Sequence, residues 1–544
     1  MSTHTVFNQP PLLDSYDPLA ADAALDDAVR RDAAWALDEV RALAARSTEP
    51  EILELGHLAN RHPPRLHTHD RFGHRIDHVE FHPAYHQLME IAVAAEIHAL
   101  PWNRPRAGAH SARVAKHYLF TQVEAGLHCP LTMTFAAVPA LRHQPEIAAE
   151  WLPRITSSRY DRRFLPAHEK TGCQLGMAMT EKQGGSDVRA NTTRARDAGD
   201  GTVRLRGHKW FCSAPMSDGF LTLAYADGAS QPEGLSCYLV PRFLPDGSTN
   251  RILIQRLKDK LGNRSNASSE IEYDDTWALP VGPTGRGVPT ILEMVTHTRL
   301  DCVVGSASLM RQAFVQAAHH ANHRQAFGRR LAEQPLMRNV LADLALESEA
   351  STQLMLRLAR AYDRDDETPL RRVATAIGKY WVCKRAPRLV AEALECLGGN
   401  GYVEDSILPR LFRESPLNSL WEGSGNVICL DVLRALAREP ATGPALLAEL
   451  DAARGADHRY DTFVDRLAHD LPRLGANAPR GARHLVERMA LALQAAQLLR
   501  RAPAAVSDAF CAGRLDDRRG HELGTLPTGL DLEPLLQRAW PIGF

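Results

Sequence analysis

Glu422 is the residue whose type and setting are best suited to chemistry. It lies in the heptapeptide 420–426, LWEGSGN, directly before an apolar run typical of a helix. The glycines allow a flat or phosphorylated ligand to approach the backbone closely. Ser424 or Asn426 can cap the helix, whose free N–H groups favour anionic ligand atoms. The Glu422 carboxylate could act here as a base, although a plain capped helix with an acidic first turn has the same residues.

Two segments farther upstream could form a ligand site on β-strands. The first, residues 177–187, reads MAMTEKQGGSD, and the second, residues 207–213, reads GHKWFCS. In the first, a strand end turns through two glycines, where backbone amides and the hydroxyls of Thr180 and Ser186 can meet a polar heterocycle or a phosphate. The second offers a flat apolar surface beside a hydroxyl. Each segment alone is more typical of plain structure, namely a glycine turn or a buried aromatic.

The hydrophobic pattern divides the 544-residue chain into four predicted domains, because this length exceeds what one core serves. They are a helical domain (1–174), a compact β domain (175–283), a helical bundle (284–440) and a C-terminal helical domain (441–544). Apolar residues at helical spacing predict helices at 20–45, 85–100, 112–127, 288–325, 334–363, 368–397, 426–438, 460–470, 481–502 and 531–538. Alternation and turn residues predict strands at 203–207, 220–226, 237–240, 252–254 and 270–273.

Composition argues against several classes of protein. Hydrophobic residues make up 44% and charged residues 24%, and no run approaches the ~18 apolar residues that a membrane span needs. The N-terminal segment lacks the basic and apolar regions of a secretion signal, so we expect a cytoplasmic protein. The nine cysteines form no C-x-x-C pair, which favours reduced thiols over disulfides or a zinc site. A net charge of −1 gives no overall electrostatic case for nucleic acid, although a local basic face stays open.

Residues 61–82 are rich in histidine and proline, which is one pattern that metal sites show. The proline and glycine interruptions argue against one rigid ligand face, and no carboxylate and histidine stand at zinc-site spacing on a helix. We therefore expect solvated loop histidines here and no metal site.

The two β-domain segments together resemble the flavin-binding motifs of the acyl-CoA dehydrogenase superfamily. Later segments follow in that family's order: 323–328 (HRQAFG), Gln334, 397–402 (LGGNGY) and 421–426 (WEGSGN). They are similar to the family's R-x-x-F-G, Q, G-G-x-G-Y and E-G-(T/S) series. The resemblance implies an α+β fold, mainly α, with a helical domain, a β-barrel domain and a helical bundle, to which the C-terminal helical domain is added.

The same resemblance implies FAD as the cofactor. It implies that residues matching 177–186 and 211–213 hold the isoalloxazine, and that Arg324, Phe327 and the 398–401 glycine loop of a neighbouring subunit reach the adenine and pyrophosphate. A homotetramer is then expected. Glu422 is the implied catalytic base, and Ser186 also contacts the implied acyl-CoA substrate. The implied cofactor-binding residues are Met177, Met179, Thr180, Gly185, Ser186, Phe211, Cys212, Ser213, Arg324, Phe327, Gly398, Gly399, Trp421, Gly423, Ser424 and Asn426.

One branch of the superfamily is more similar, the AidB-type proteins of the bacterial adaptive response to DNA alkylation. The similar segments are 258–268 (KDKLGNRSNAS), 179–187, the N-terminal 3–10 (THTVFNQP) and the extra C-terminal hundred residues. This resemblance implies FAD, weak acyl-CoA dehydrogenase activity toward a short branched acyl group, and binding of double-stranded DNA through the C-terminal domain. Two positions depart from the wider family: Phe211 stands where most members have tryptophan, and Glu395 where glutamine is usual.

Charge provides a separate view of DNA binding. Residues 441–544 contain 13 arginines, no lysines and 13 acidic residues, so the segment is neutral as a whole. Its arginines nevertheless cluster after residue 470, and arginine suits bidentate phosphate contacts. The predicted DNA-binding residues are Arg434, Arg473, Arg480, Arg483, Arg488, Arg500, Arg501, Arg514, Arg518 and Arg519. A solvated helical face with intrahelical ion pairs explains the same pattern.

Three functions stay open from the sequence. The first is a flavin-containing, DNA-associated protein of the alkylation response, and the second is a metabolic acyl-CoA dehydrogenase whose C-terminal domain mediates assembly. The third is a flavin-dependent oxidase of another small acid or nitro compound. A salt-dependent affinity for duplex DNA would separate the first from the others.

Overall fold

The computed structural model describes residues 3–228, 234–471, 478–517 and 520–543. It is mainly helical with one large β-sheet, which confirms the predicted fold class. Contacts divide the chain into two compact units. Unit 1 comprises Met1–Pro50, Ala107–Gln122 and Cys302–Phe544, and unit 2 comprises Glu51–Arg106 and Val123–Asp301.

The described residues form helices and strands in alternating groups along the chain. The helices are α1 (Ala23–Asp32), α2 (Leu37–Ser47), α3 (Pro50–Arg61), α4 (Pro83–Ala94), α5 (Leu100–Asn103), α6 (Ala109–Thr121), α7 (His128–Leu141), α8 (Pro145–Ile155), α9 (Gly287–His323), α10 (Pro335–Tyr362), α11 (Thr368–Cys396), α12 (Gly399–Tyr402), α13 (Leu408–Glu414), α14 (Gly425–Arg438), α15 (Thr442–Asp451), α16 (His458–Asp470), α17 (Ala478–Arg501), α18 (Ala504–Phe510) and α19 (Glu533–Ala539). The strands are β1 (Arg65–His69), β2 (Arg75–Glu80), β3 (Leu175–Ala178), β4 (Arg194–Asp197), β5 (Val203–Ser213), β6 (Gly219–Ala226), β7 (Leu235–Pro241), β8 (Ile252–Leu257), β9 (Ser268–Val281), β10 (Gln325–Ala326) and β11 (Arg329–Arg330). Across the described residues, none of these helices combines the length and the apolar character that crossing a membrane requires.

A closed β-barrel lies in unit 2. Its strands pair in the order β6-β4-β5-β9-β7, and pairing of β6 with β7 closes the ring. Strand β3 adds parallel to β6, and β8 adds antiparallel to β9. Side chains alternate along β5 because successive residues of a strand point to opposite faces. Val203, Leu205 and Lys209 are accordingly buried and Arg206 is exposed. A register shift against β9 between Lys209 and Cys212 interrupts the alternation, so that Phe211 is exposed and Cys212 is buried.

The histidine-rich segment contains an antiparallel hairpin of β1 and β2. The expectation of loop positions is therefore wrong for His67, His69 and His78, which lie on strands. His67, His69 and the turn residue His74 are exposed, as expected for solvated histidines. The turn between the strands is made by Asp70, whose Oδ1 accepts hydrogen bonds from the N–H groups of Phe72 and His74. Gly73 follows in the left-handed region at φ 89°. The hairpin was missed because its strands are short and carry polar residues at most positions.

Long helices form the core of unit 1. Helix α10 packs against α11, and α17 packs against both of them and against α14. The reason is an apolar stripe at helical spacing on α17, where Val486, Met489, Ala490 and Leu493 are buried. Helix α17 belongs to the predicted C-terminal domain, yet it packs within the same unit as the predicted bundle. All nine cysteines are buried, free thiols.

Candidate functional site

Glu422 lies in a strained turn that leads into α14. Its φ is +59° and that of Gly423 is +103°. A left-handed backbone is uncommon for a residue with a side chain and persists only where the surroundings hold it. The ammonium group of Lys379, on α11, stabilises this conformation by donating a hydrogen bond to the Gly423 carbonyl. Lys379 is only 1% exposed, so its position is set by the packing of α11.

The first turn of α14 is not capped in the way that the sequence suggested. Ser424 occupies the position before the helix, but its side chain makes no capping hydrogen bond. The Asn426 side chain instead accepts a hydrogen bond of 2.8 Å from Nε of Arg483 on α17. The prediction that Ser424 or Asn426 caps the helix is therefore wrong. Among the described residues, Ser424 therefore gives the first N–H groups of α14 no side-chain cap, which suits contact with an anionic ligand.

A buried ion pair lies beneath the 179–187 loop in unit 2. Nζ of Lys209 lies 2.8 Å from Oε1 of Glu181, and both side chains are fully buried. Glu181 also accepts hydrogen bonds from the backbone and hydroxyl groups of Thr192 and Thr193. Burial alone would raise the pKa of Glu181, but the charge and hydrogen bond of Lys209 and the threonine donors outweigh it and lower the pKa to about 2. Glu181 is therefore a charged anchor for this loop.

Two hydrogen bonds tie the same loop to strand β5. The backbone N–H of Trp210 donates a hydrogen bond of 2.8 Å to the Thr180 carbonyl, and the backbone N–H of Lys182 donates one of 3.0 Å to Nε2 of His208. A Cβ at Gly185 would lie 3.2 Å from the Thr180 methyl group, so glycine lets the turn close tightly. Beyond this base the turn is open: Gly185 and Ser186 are exposed, and Met177, Met179 and Thr180 are half-buried. These residues therefore present amides and hydroxyls to a ligand, and the hydrogen bonds to β5 fix the base of the loop that carries them.

The segment 211–213 presents one aromatic ring and one hydroxyl. Phe211 is 46% exposed, and Nζ of Lys258 lies 4.5 Å from its ring centroid. The Ser213 hydroxyl lies 3.2 Å from that of Ser268. Cys212 points into the barrel core and is 0% exposed; burial raises the pKa of its thiol to about 12. Only the backbone of Cys212 could therefore contact a ligand.

The segments implied in adenine binding lie in unit 1 and are largely open. Phe327 forms the turn between β10 and β11 and is 99% exposed. Cβ atoms at Gly398 and Gly399 would meet no atom within 4 Å. Arg324 is engaged: its Nη1 donates a hydrogen bond of 2.7 Å to the carbonyl of Asn8. The glycine loop therefore has room for close approach of a ligand, whereas Arg324 already holds the N-terminal segment.

The remaining residue implied in cofactor binding is Trp421. Its indole Nε1 donates a hydrogen bond of 2.8 Å to Oδ1 of Asn418. The Trp421 ring is half-buried and precedes Glu422 in the chain. The hydrogen bond to Asn418 fixes the orientation of this ring at the start of the turn.

The arginines predicted to bind DNA fall into exposed and engaged groups. Arg473, Arg518 and Arg519 lie outside the described residues. The side chain of Arg434 is 60% exposed and 3.5 Å from Asp431. Arg480 and Arg483 are exposed at the start of α17. Arg434, Arg480 and Arg483 therefore remain suited to contacts with phosphates.

The other predicted arginines are less exposed, and three of them have acidic partners. Arg488 is 15% exposed and 2.6 Å from Asp470, and Arg500 is 31% exposed and 3.4 Å from Glu449. Arg501 is half-buried. Arg514 binds Asp343 and Glu347 inside the helical core with 13% of its side chain exposed. Arg514 is thus a core residue and not a surface contact, because its two carboxylate partners would be left buried without it.

Sequence reasoning missed three residues that position the predicted site residues, two in unit 2 and one in unit 1. Lys209 and Glu181 lie inside the two β-domain segments, and Lys379 lies 44 residues before its acceptor Gly423. A signal existed for both lysines. Lys209 falls on the inward phase of the β5 alternation, and Lys379 lies at helical spacing from the buried Val382, Cys383 and Ala386 on the apolar face of α11. Lysine is rarely buried without a partner, so its place in an apolar pattern marks a structural or functional role.

Family models match most of the chain. Residues 8–162 match the adaptive response protein AidB N-terminal domain. Residues 176–276 match the acyl-CoA dehydrogenase middle domain, and residues 285–437 match the acyl-CoA dehydrogenase C-terminal domain.

Individual relatives agree with these models. The chain is 46% identical over 527 residues to "Putative acyl-CoA dehydrogenase AidB" of Escherichia coli (strain K12), covering 96% of each protein. It is 32% identical over 409 residues to acyl-CoA dehydrogenase family member 11 of Caenorhabditis elegans, covering 71% of this chain and 64% of that protein. The crystal structure of Caenorhabditis elegans ACDH-11 in complex with C11-CoA superposes with a TM-score of 0.86 at 27% identity, covering 95% of this chain and 94% of the other.

Proposed function

The chain belongs to the AidB family of the acyl-CoA dehydrogenase superfamily, and on this premise we propose that it is an FAD-containing oxidoreductase that also binds double-stranded DNA in the alkylation response. Membership of a flavin oxidoreductase family fixes the broad class. The finer proposal is a cytoplasmic homotetramer with weak activity toward a short branched acyl-CoA. The observation that carries the enzymatic part is the strained Glu422 turn, which Lys379 holds at the start of α14.

The residues of unit 2 fit the flavin ring. The 179–187 turn offers amides and the hydroxyls of Thr180 and Ser186, which suit the polar edge of a heterocycle, and Phe211 offers an exposed flat face. The Glu181–Lys209 pair keeps this turn in place. FAD, when bound, supplies the hydride acceptor.

In the proposed reaction Glu422 removes a proton from the substrate. The α-proton of an acyl thioester is acidified by the adjacent carbonyl, and a half-buried carboxylate is a suitable base for it. The strained backbone at Glu422 sets the orientation of that carboxylate. The hydrogen bond from Lys379 to the Gly423 carbonyl keeps the backbone in this conformation. Support for an acyl-CoA substrate comes from the C11-CoA complex of the ACDH-11 relative.

The DNA-binding part rests on the exposed arginines. Arg480 and Arg483 begin α17, and Arg483 binds Asn426, four residues beyond Glu422. Arg434 lies on α14 and is exposed. Guanidinium groups in this setting can form bidentate contacts with phosphates and position a duplex without reading its sequence.

A second candidate is a metabolic acyl-CoA dehydrogenase whose C-terminal helices serve assembly. The acidic partners of Arg488, Arg500 and Arg514 favour it, because these arginines already contribute to packing within unit 1.

One purification tests both parts of the proposal. The protein should be yellow, should release FAD on denaturation, and should shift nonspecific duplex DNA with an affinity that falls linearly on a log–log salt plot. A folded protein that takes up no FAD would refute the enzymatic part. A yellow protein without salt-dependent DNA binding would favour the metabolic candidate.

A further inference from the structure

Five arginines gather at three helix ends in unit 1. Arg31 lies in the last turn of α1, Arg357 and Arg360 lie near the end of α10, and Arg500 and Arg501 are the last residues of α17. Their acidic neighbours among the described residues are Asp32, Glu367 and Glu449. This arginine cluster therefore holds five positive charges against three paired carboxylates and a fourth, Asp363, which lies near Asp32 at the end of α10.

The innermost arginine takes most of the negative charge. Arg357 binds Glu449 through two hydrogen bonds of 2.8 Å and also binds Glu367 at 2.6 Å. Its side chain is only 6% exposed. Two of the three carboxylates thus serve a buried structural contact, and little of their charge is left for the outer arginines.

Three of the outer four arginines are poorly compensated. Arg31 pairs with Asp32 at 2.8 Å, but Arg360 lies 3.9 Å from the same carboxylate. Arg500 lies 3.4 Å from the Glu449 oxygen that Arg357 already uses. Within the described residues the side chain of Arg501 forms no hydrogen bond or ion pair, and its Nε is buried. An unsatisfied buried donor costs free energy unless a ligand or water supplies the acceptor.

Electrostatics agrees with this geometry. Burial, followed by the charges of Arg357, Arg501 and Arg31, lowers the pKa of Arg360 to about 10. Burial and the charges of Arg31 and Arg500 likewise lower the pKa of Arg501. The three helix ends contribute about half a negative charge each, which offsets most of the excess, so the unsatisfied Nε of Arg501 carries the case for a ligand. The cluster is therefore a place where a bound anion would relieve repulsion.

We propose that Arg31, Arg360, Arg500 and Arg501 form an oxyanion site that takes a phosphate group. Three of them keep 20–31% of their side chains exposed, so an anion can reach them from solvent. Planar guanidinium groups offer paired donors that match phosphate oxygens. Arg31 and Arg360 lie outside the C-terminal segment, so the site extends beyond the proposed DNA surface. The phosphate could come from a nucleic-acid backbone or from a small phosphate ligand.

Calorimetry and thermal unfolding with inorganic pyrophosphate at fixed ionic strength test the site. We expect saturable binding and a higher Tm for the wild type, because a ligand that binds only the folded state stabilises it. Arg360→Gln and Arg501→Gln should each weaken binding about tenfold, the size of one lost charge-assisted hydrogen bond. Matched controls are Arg30→Gln, whose exposed arginine pairs with Asp26, and Arg364→Gln, whose exposed arginine pairs with Asp366 and Glu367 and does not belong to the four proposed phosphate ligands. The controls should bind as the wild type does.

A duplex-DNA titration of the same variants identifies the source of the phosphate. If Arg360→Gln also lowers DNA affinity and reduces the salt slope by about one unit, the site takes a backbone phosphate. If DNA affinity is unchanged while pyrophosphate binding falls, the site takes a small phosphate ligand. This second result supports the site even when the protein binds no DNA, so the DNA part of the proposed function fails separately.

Two results would overturn the oxyanion site. One is a folded wild type that shows neither saturable pyrophosphate binding nor any effect of Arg360→Gln on DNA affinity. The other is a loss in the Arg30→Gln and Arg364→Gln controls equal to that in Arg360→Gln. Arg360→Lys guards against a folding artefact, because it keeps the charge but not the paired donors and should fall between the wild type and Arg360→Gln.

Discussion

The Lys209 ammonium lies 2.8 Å from the Glu181 carboxylate, and neither side chain reaches solvent. The pair joins the loop after β3 to strand β5, which carries Phe211 and Ser213. Both predicted flavin segments are therefore held by one buried contact. A buried pair of this kind positions the loop more than it stabilises the fold, because desolvation of both charges offsets their attraction.

Breaking this pair should damage both stability and flavin binding. Lys209→Met leaves Glu181 charged and buried, and we expect a loss of about 3–5 kcal/mol in the free energy of unfolding together with a lower affinity for FAD. Denaturant unfolding and a flavin-binding titration measure the two effects. The double variant Glu181→Gln/Lys209→Met should recover part of the stability. Arg196→Gln, which breaks an exposed pair with Asp275 in the same barrel, is the control and should cost below about 1 kcal/mol.

Lys379 should control the rate of the proposed reaction more than the cofactor content, although Gly423 and Ser424 of the same turn are also implied in cofactor binding. Lys379→Met removes the donor to the Gly423 carbonyl, so the Glu422 turn can relax. Because a small misplacement of a catalytic group can cost about 10²-fold, flavin reduction by acyl-CoA should slow by about 10–10²-fold while FAD stays bound. Arg388→Gln, exposed on the same helix, should leave the rate unchanged. A normal rate in Lys379→Met would show that the turn does not depend on this contact.

Asp363 should give the protein a pH-dependent stability. Burial raises the pKa of Asp363 to about 6 although it accepts hydrogen bonds from His110 and Ser111. Since the folded pKa exceeds the ordinary value of 3.8, the contribution is complete below pH 3.8 and is lost as the pH rises through 6. Asp363→Asn should therefore gain roughly 2 kcal/mol relative to the wild type between pH 4 and 7, since one pKa unit corresponds to about 1.4 kcal/mol. Thermal unfolding across this range checks the sign, and a variant whose relative stability falls with pH would contradict it.

The exposed arginines should set the salt dependence of DNA binding. Each of Arg480→Gln and Arg483→Gln should reduce the log–log salt slope by about one unit. Arg466→Gln, an exposed residue paired with Asp517, is the control for a general charge effect. Arg514→Gln should instead lower stability, because Asp343 and Glu347 would stay buried without their partner. If all four variants keep the salt slope of the wild type, Arg480 and Arg483 do not belong to the DNA surface.

The sequence predicted the long helices closely and the local contacts poorly. The ranges 288–325, 334–363 and 368–397 correspond to α9, α10 and α11 within two residues at each end, because apolar stripes bounded by proline and glycine define long helices well. The β1–β2 hairpin was missed, since short polar strands give little signal. The glycines around Glu422 indicated the turn. The hydrogen bond by which Lys379 stabilises this turn depends on packing between residues 44 positions apart, and a local sequence pattern does not reveal such packing.

Reduction of the bound flavin by an acyl-CoA under anaerobic conditions tests the central claim most directly. A short branched acyl-CoA should bleach the visible flavin absorbance of the wild type, and Glu422→Gln should slow that bleaching by ~10²–10⁴-fold, the usual loss on removing a general base. Glu439→Gln, an exposed carboxylate just beyond α14 that pairs with Arg372, should behave as the wild type does. Bleaching of Glu422→Gln at the wild-type rate would contradict the assigned role of Glu422.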